Sequence, residues 1–291
     1  SSHLAPAYAR TMSSEQAAAI DVSACLQRGA IGAVGAVPGT LAAHPFDVVK
    51  MRQQVGGLGL SATLRGIGSA AAIYNGVLAG VAQKITTRGP MFLASEVCTQ
   101  QAQRTLALDR EKALFVGSLG SGYTTGFVAS TFEWQKVQRG AASALSSAQA
   151  STSASAAAGA AVAARVSPAL SRRLAVMRAA GTRNAVFDST FFSCEHVAQH
   201  RLGLPPALSY AAAAAIAVCL DFPVDVATKR IMAAPPQEPV PAGGGVLRLT
   251  LRLLLEKRLL IFTGLGSKCV EFAVSYGVTG WSSAHVKRAM S

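Results

Sequence analysis

The stretch HPFDVVKMRQQ, His44 to Gln54, constrains this chain more than any other, because it recurs. It ends a run of small residues, GAIGAVGAVPGTLAA, from Gly29 to Ala43. A proline inside a helix removes one backbone hydrogen bond and crowds the preceding turn, so Pro45 predicts a bend there. Asp47 and Lys50 then fall three residues apart on one face, with Arg52 half a turn further on. Related stretches are TFEWQKVQR, Thr131 to Arg139, and FPVDVATKR, Phe222 to Arg230, with Pro223 where the first copy has Pro45. Their acids, Asp47, Glu133 and Asp225, recur at a spacing of about 90 residues. One copy alone reads as a helix end with an ordinary ion pair. Three at one period read as a threefold repeat.

Composition says what surrounds such a repeat. The 291 residues are 51% hydrophobic and only 14% charged, with a mean hydropathy of +0.35. Those values point to a membrane, yet no uninterrupted run of about 20 apolar residues stands out. Gly, Pro, Ser and scattered charges interrupt every candidate helix, which is tolerated where helices pack on each other or line a wet interior. The reading is a polytopic helical bundle with a polar inside. The net charge of +13 has a nucleic-acid interpretation in a soluble protein, but no basic cluster is interleaved with aromatics. Five dispersed cysteines without a CxxC pair indicate neither a zinc site nor a disulfide framework, and no metal ligand set is expected. No nucleophile–base pair or phosphate loop suggests an enzyme, so no catalytic residue is assigned.

The triplication resembles the mitochondrial carrier family, whose signature is Pro-x-Asp/Glu-x-x-Lys/Arg at the end of each odd-numbered helix. The resemblance spans nearly the whole chain: an aromatic-x-Gly step, Tyr74 to Gly76, follows the first motif, and a second apolar helix ends near Glu96. It implies an all-α membrane fold of three helix–loop–helix repeats, six transmembrane helices around a pseudo-threefold axis, in the mitochondrial inner membrane. Segments that the repeat places on one side carry Arg65, Arg165, Arg172, Arg178, Arg248 and Lys257, which fits a positive matrix side and cardiolipin as bound lipid. No other cofactor is implied.

In chain order, residues 1–20 form an extramembrane lead-in, 21–105 the first repeat, 106–204 the second and 205–291 the third. Long helices are expected at about 22–53, 77–103, 111–139, 181–202 and 206–232, with the sixth from Phe262 to about Arg288. Gly32, Ala36 and Gly39 mark a small face on the first helix, GSLGSG (Gly117 to Gly122) repeats it on the third, and Ala211 to Ala215 replaces it on the fifth. Short surface helices are expected at 61–73, around 168–179, and over Leu247 to Lys257. The Ala/Ser-rich stretch 141–164 reads as a flexible linker.

In the family the three motifs close the matrix end as a ring of ion pairs. Carried over, the matrix gate is Pro45, Asp47, Lys50, Glu133, Lys136, Pro223 and Asp225, with Asp47 meeting Lys136 and Asp225 meeting Lys50. Glu133 loses its family partner because position 228 is Thr228, and Lys229, about 100° round the helix, is expected to point away. The cytoplasmic gate reduces to Glu96, Glu195 and Lys287, with Glu195–Lys287 as its one link. Substrate-contact candidates are Gln83, Lys84, Thr182, Arg183, Lys268 and Glu271. Charged residues at that depth are costly unless they face the bundle interior, so an internal Arg183–Glu271 pair is weighed against an anionic ligand. Two gates of unequal strength predict a state closed to the matrix and open on the other side. Two functions follow. One is a structural subunit of a larger inner-membrane assembly, such as a respiratory-chain complex. The other is an active carrier exchanging a small anionic metabolite.

Overall fold

The described residues are almost all helical. The computed structural model describes residues 20–56, 61, 65, 73–74, 77–149, 170–233, 245–257, 262 and 264–290. Among the described residues there are seven helices and no strand: α1 (Val22–Gly56), α2 (Val77–Thr105), α3 (Arg110–Gln149), α4 (Leu170–His200), α5 (Pro206–Ala233), α6 (Gly245–Lys257) and α7 (Leu265–Met290).

Local chemistry sets the ends. Asp21 caps α1 by accepting the Ala24 amide at 3.0 Å, and Asp109 caps α3 by accepting the Lys112 amide at 2.9 Å. The Lys112 side chain and that amide hold the Asp109 carboxyl below the usual carboxylate range. Gly203, at φ 63°, takes the left-handed position after α4, and Pro206 opens α5 where its missing N–H leaves nothing unsatisfied.

Two boundaries differ from expectation. Helix α3 runs to Gln149, so the first part of the Ala/Ser stretch 141–164 is helical; alanine is the best helix former, and a helix already nucleated upstream propagates into it. The expected basic helix near 168–179 is not separate, because α4 begins at Leu170 and runs unbroken through Gly181. Pro38 and Pro45 both lie inside a continuous α1. The expected surface helix at 61–73, the rest of the Ala/Ser stretch and residues 1–19 lie outside the described residues, apart from helical positions at Ser61, Arg65 and Ile73.

Six helices close a ring. Each of α1, α2, α3, α4 and α5 packs on the next, α5 packs on α7, and α7 returns to α1. Neighbours alternate in direction, and small residues set their spacing. A Cβ on Gly32 would meet the Phe92 ring at 2.8 Å, and one on Gly39 would strike the Ser275 carbonyl. Gly117 lies against the Thr99 backbone, Gly126 against Ala180, and Gly280 against Pro206 and Tyr210. The small face expected on α1 thus serves two partners, α2 through Gly32 and α7 through Gly39, with Ala36 fully buried between them. On α5 the alanines Ala213, Ala214 and Ala217 are buried in the same role.

The outer surface is apolar: Val34, Ile85, Phe115, Val197, Ile216 and Val270, one from each of the six ring helices, are all exposed. By length and composition, α5 is the one helix among the described residues long and apolar enough to cross a membrane. The other ring helices bury polar side chains, among them Arg88, Ser118, Asp188 and Lys268.

Candidate functional site

The charged side chains that interrupt the apolar helices meet inside the ring. At one level α3, α4, α5 and α7 contribute Glu133, Arg183, Asp221, Asp225 and Lys268. Arg183 donates through Nη1 to Glu133 Oε1 and to Asp225 Oδ1, the latter at 3.3 Å. Asp225 Oδ2 accepts from Lys268 Nζ at 2.8 Å and from Lys229 Nζ at 2.9 Å, and Lys268 also reaches Asp221 at 3.4 Å. Asn184 fixes the other edge of the guanidinium, accepting from Nη2 at 2.7 Å. Asp225 therefore serves three cations, and its side chain is only 4% exposed. Buried charges persist when paired in this way; removing one partner leaves another stranded.

Several sequence expectations change here. Arg183 does not pair with Glu271. It reaches acids on α3 and α5, the two neighbours of α4 in the ring, while α7 lies beyond α5. Glu133 is not left alone by Thr228, since Arg183 supplies the missing cation; Thr228 instead donates to the Ala179 carbonyl at 3.4 Å. Lys229 does not turn away but pairs one helical turn back with Asp225. The side chains of Lys50 and Lys136 lie outside the described residues, so the pairs expected with Asp225 and Asp47 lie there too.

Of the remaining substrate-contact candidates, Lys84 shares the Phe272 ring with Lys268, whose Nζ lies 5.4 Å from its centre. Lys84 sits 5.8 Å from the centre of the Phe272 ring, and Thr182 bonds back to the Arg178 carbonyl at 3.0 Å. Gln83 contributes its carbonyl to Thr87 at 2.8 Å, and Glu271 is buried.

Above this level the interior turns aromatic. Phe191 on α4 is fully buried, 4.6 Å from Tyr276 on α7, 5.5 Å from Tyr210 on α5 and 6.5 Å from Phe92 on α2. Phe187 and Phe272 extend the cluster toward the ion pairs, with ring centres 5.4 Å apart. Arg88 closes it from α2, donating to Thr279 at 2.8 Å and Ser275 at 2.7 Å while its guanidinium lies 4.0 Å over Tyr276. The half of the ring toward Glu195 is therefore filled, not open. A gate comparison based on charges alone misses this, because aromatic packing joins α2, α4 and α7 without an ion pair.

One turn past the aromatics, Glu96 and Glu195 stand at one level. Arg28 on α1 binds Glu96 at 2.9 Å and stacks 5.7 Å from the Phe192 centre; Arg110 lies 3.9 Å from Glu96. Glu195 faces Arg28 and Arg110. The expected Glu195–Lys287 pair is not formed among the described residues. The reason is axial: Glu195 lies four residues past Phe191, whereas Lys287 lies eleven past Tyr276 on a parallel helix. At ~1.5 Å per residue, Lys287 overshoots by ~10 Å and ends exposed.

Contributors missed by sequence reasoning include Arg110 and Asn184 at their helix positions and, deeper in the bundle, Arg28, Arg88, Asp188 and Asp221. The last four are ionisable residues inside otherwise apolar helices, which is the signal that could have found them. Asp188 is the odd one. It is 2% exposed, its Oδ2 has no hydrogen-bond partner, and it feels the repulsion of Asp221. Among the described residues no group of three or more His, Cys, Asp or Glu is placed to hold a metal ion.

What the arrangement can do chemically is hold helices together. Arg183 and Lys268, the cations at its centre, are already held by carboxylates. No protein-family model matches this chain, and no curated protein is significantly similar to it.

Proposed function

We propose that the chain is a divergent mitochondrial-carrier-type bundle of the inner membrane, with six membrane-crossing helices, that serves as a structural subunit of a larger membrane assembly and does not exchange solutes. The observation that carries this reading is the occupancy of Arg183 and Lys268 by Glu133, Asp225 and Asp221. Alternating access needs two closed states of similar free energy. Here a network on three cations and an aromatic cluster spanning three alternate helices both hold one arrangement.

The membrane part rests on the exposed apolar residues around all six helices and on polar groups turned inward, the reverse of a soluble bundle. Exposed Arg173, Arg178, Arg230, Arg248 and Arg252 gather at the Glu133 end, which suits an anionic lipid surface such as cardiolipin on the matrix side. The mitochondrial assignment rests on the triplicated motif.

The test has two arms. Solubilised in mild detergent, the chain should migrate with a large complex at fixed stoichiometry. Reconstituted alone in vesicles, it should show no saturable uptake of organic anions. Saturable exchange lost on Arg183→Ala overturns the structural reading and establishes the carrier one, an exchanger of a small anionic metabolite.

A further inference from the structure

The third repeat brings two cysteines together across a helix–helix seam, outside the ion-pair network. Cys219 on α5 and Cys269 on α7 place their sulfur atoms 3.8 Å apart, while the other three cysteines have no sulfur partner among the described residues. Two sulfurs in a disulfide lie ~2.05 Å apart, so the two atoms are less than ~2 Å short of bonding distance. Cys219 is exposed, flanked by the exposed apolar Ile216 and Leu220; Cys269 is half-buried beneath it. The chain neighbour of Cys269 is Lys268, which holds Asp221 and Asp225.

We infer that Cys219 and Cys269 form a reversible thiol–disulfide site, oxidised by organic hydroperoxides of the lipid phase. The chemical class follows from the surroundings. On the proposed membrane reading Cys219 faces hydrocarbon, where a charged or water-bound oxidant does not concentrate but a lipid hydroperoxide does. The exposed Cys219 sulfur attacks the outer peroxide oxygen. The O–O bond breaks, the alkoxide takes the thiol proton and leaves as an alcohol, and Cys219 becomes a sulfenic acid. The Cys269 sulfur then attacks the Cys219 sulfur, forming the S–S bond and releasing water. In sum, two thiols and one hydroperoxide give one disulfide, one alcohol and one water; the thiols lose two electrons and the peroxide gains them. The bond staples α5 to α7 beside Lys268, fixing the seam that the ion pairs already hold.

The experiment uses the full chain in phospholipid vesicles, treated with cumene hydroperoxide and then with N-ethylmaleimide. Peptide mass analysis should show Cys219 linked to Cys269, at least tenfold above any other cysteine pair, and dithiothreitol should restore alkylation at both. In Cys269→Ser the reaction should stop at Cys219 sulfenic acid, trapped by dimedone, and this variant retains the packing because a serine replaces a half-buried sulfur. Persistent alkylation of both cysteines overturns the inference, as does linkage of another pair. The inference rests on the membrane reading only for the oxidant's class. Hydrogen peroxide in water acting as fast on the vesicle-bound chain as cumene hydroperoxide overturns that class and the lipid exposure together. Loss of the disulfide with retained lipid exposure, read by quenching of Trp281 with brominated lipid, overturns the thiol site alone.

Discussion

Asp225 concentrates more of the interior than any other residue, because Arg183, Lys229 and Lys268 all converge on its two oxygens. Removing Arg183 leaves Asp225 with Lys229 and Lys268 but takes from Glu133 the cation it pairs with, and breaking a buried pair costs about 3–5 kcal/mol. Arg183→Leu should therefore lower the unfolding free energy in detergent by an amount of that order, chiefly through Glu133. A change below about 1 kcal/mol would mean the network is hydrated and weak. Asp188 is the opposite case. Its carboxyl is buried with an oxygen unpartnered and Asp221 nearby, so Asp188→Asn should stabilise the fold, by about 1–3 kcal/mol if the whole penalty is relieved. Destabilisation by that substitution would show that the attraction of Arg183 outweighs burial and the repulsion of Asp221. At this scale the sequence was half legible. The repeat marked Glu133 and Asp225 as network members because they recur, but their partners depend on which helices are neighbours. Arg183 could be read as a cation in an apolar helix; that it faces α3 and α5 could not.

Helices are where sequence reading did best. The bounds of α1, α2, α5 and α7 follow from Asp, Gly and Pro punctuation and fall within a few residues of expectation. The two that moved, α3 and α4, did so at alanine-rich or uncapped ends, where nothing in the sequence stops a helix. Small residues on these helices have different duties, and α3 holds a comparison within a single helix. A Cβ on Gly117 would sit 2.5 Å from the Thr99 amide nitrogen, while one on Gly120 meets nothing within 4 Å. Gly117→Ala should push α2 and α3 apart and cost about 1–3 kcal/mol, as overpacking does. Gly120→Ala should be neutral or gain up to about 1 kcal/mol from helix propensity alone. Thermal denaturation of the two variants side by side checks this; equal effects would place the α2–α3 contact elsewhere. The GSLGSG pattern revealed a small face, but not which of its glycines touches a neighbour. That choice is made by rotation about the helix axis, which a stretch so uniformly small does not encode.

The whole molecule is a ring of alternating helices, and a membrane reading turns that alternation into a statement about sides. The connections at 106–109 and 201–205 lie at the Glu195 end, and α6 lies at the other. An impermeant maleimide should label Leu202→Cys from one face of sealed vesicles and Arg252→Cys from the opposite face. Labelling of both from the same face would sink the spanning arrangement. The ring also has a consequence unrelated to charge or lipid. Because α7 packs against α1 and runs opposite to it, the start of α1 and the finish of α7 point the same way at adjacent positions. The six ring helices therefore form a nearly closed circuit whose point of opening is arbitrary as far as their packing is concerned. Tethering Met290 to Val22 and cutting the 106–109 turn would yield a permuted chain that begins at Arg110, ends at Thr105 and rebuilds the same six seams in a different order.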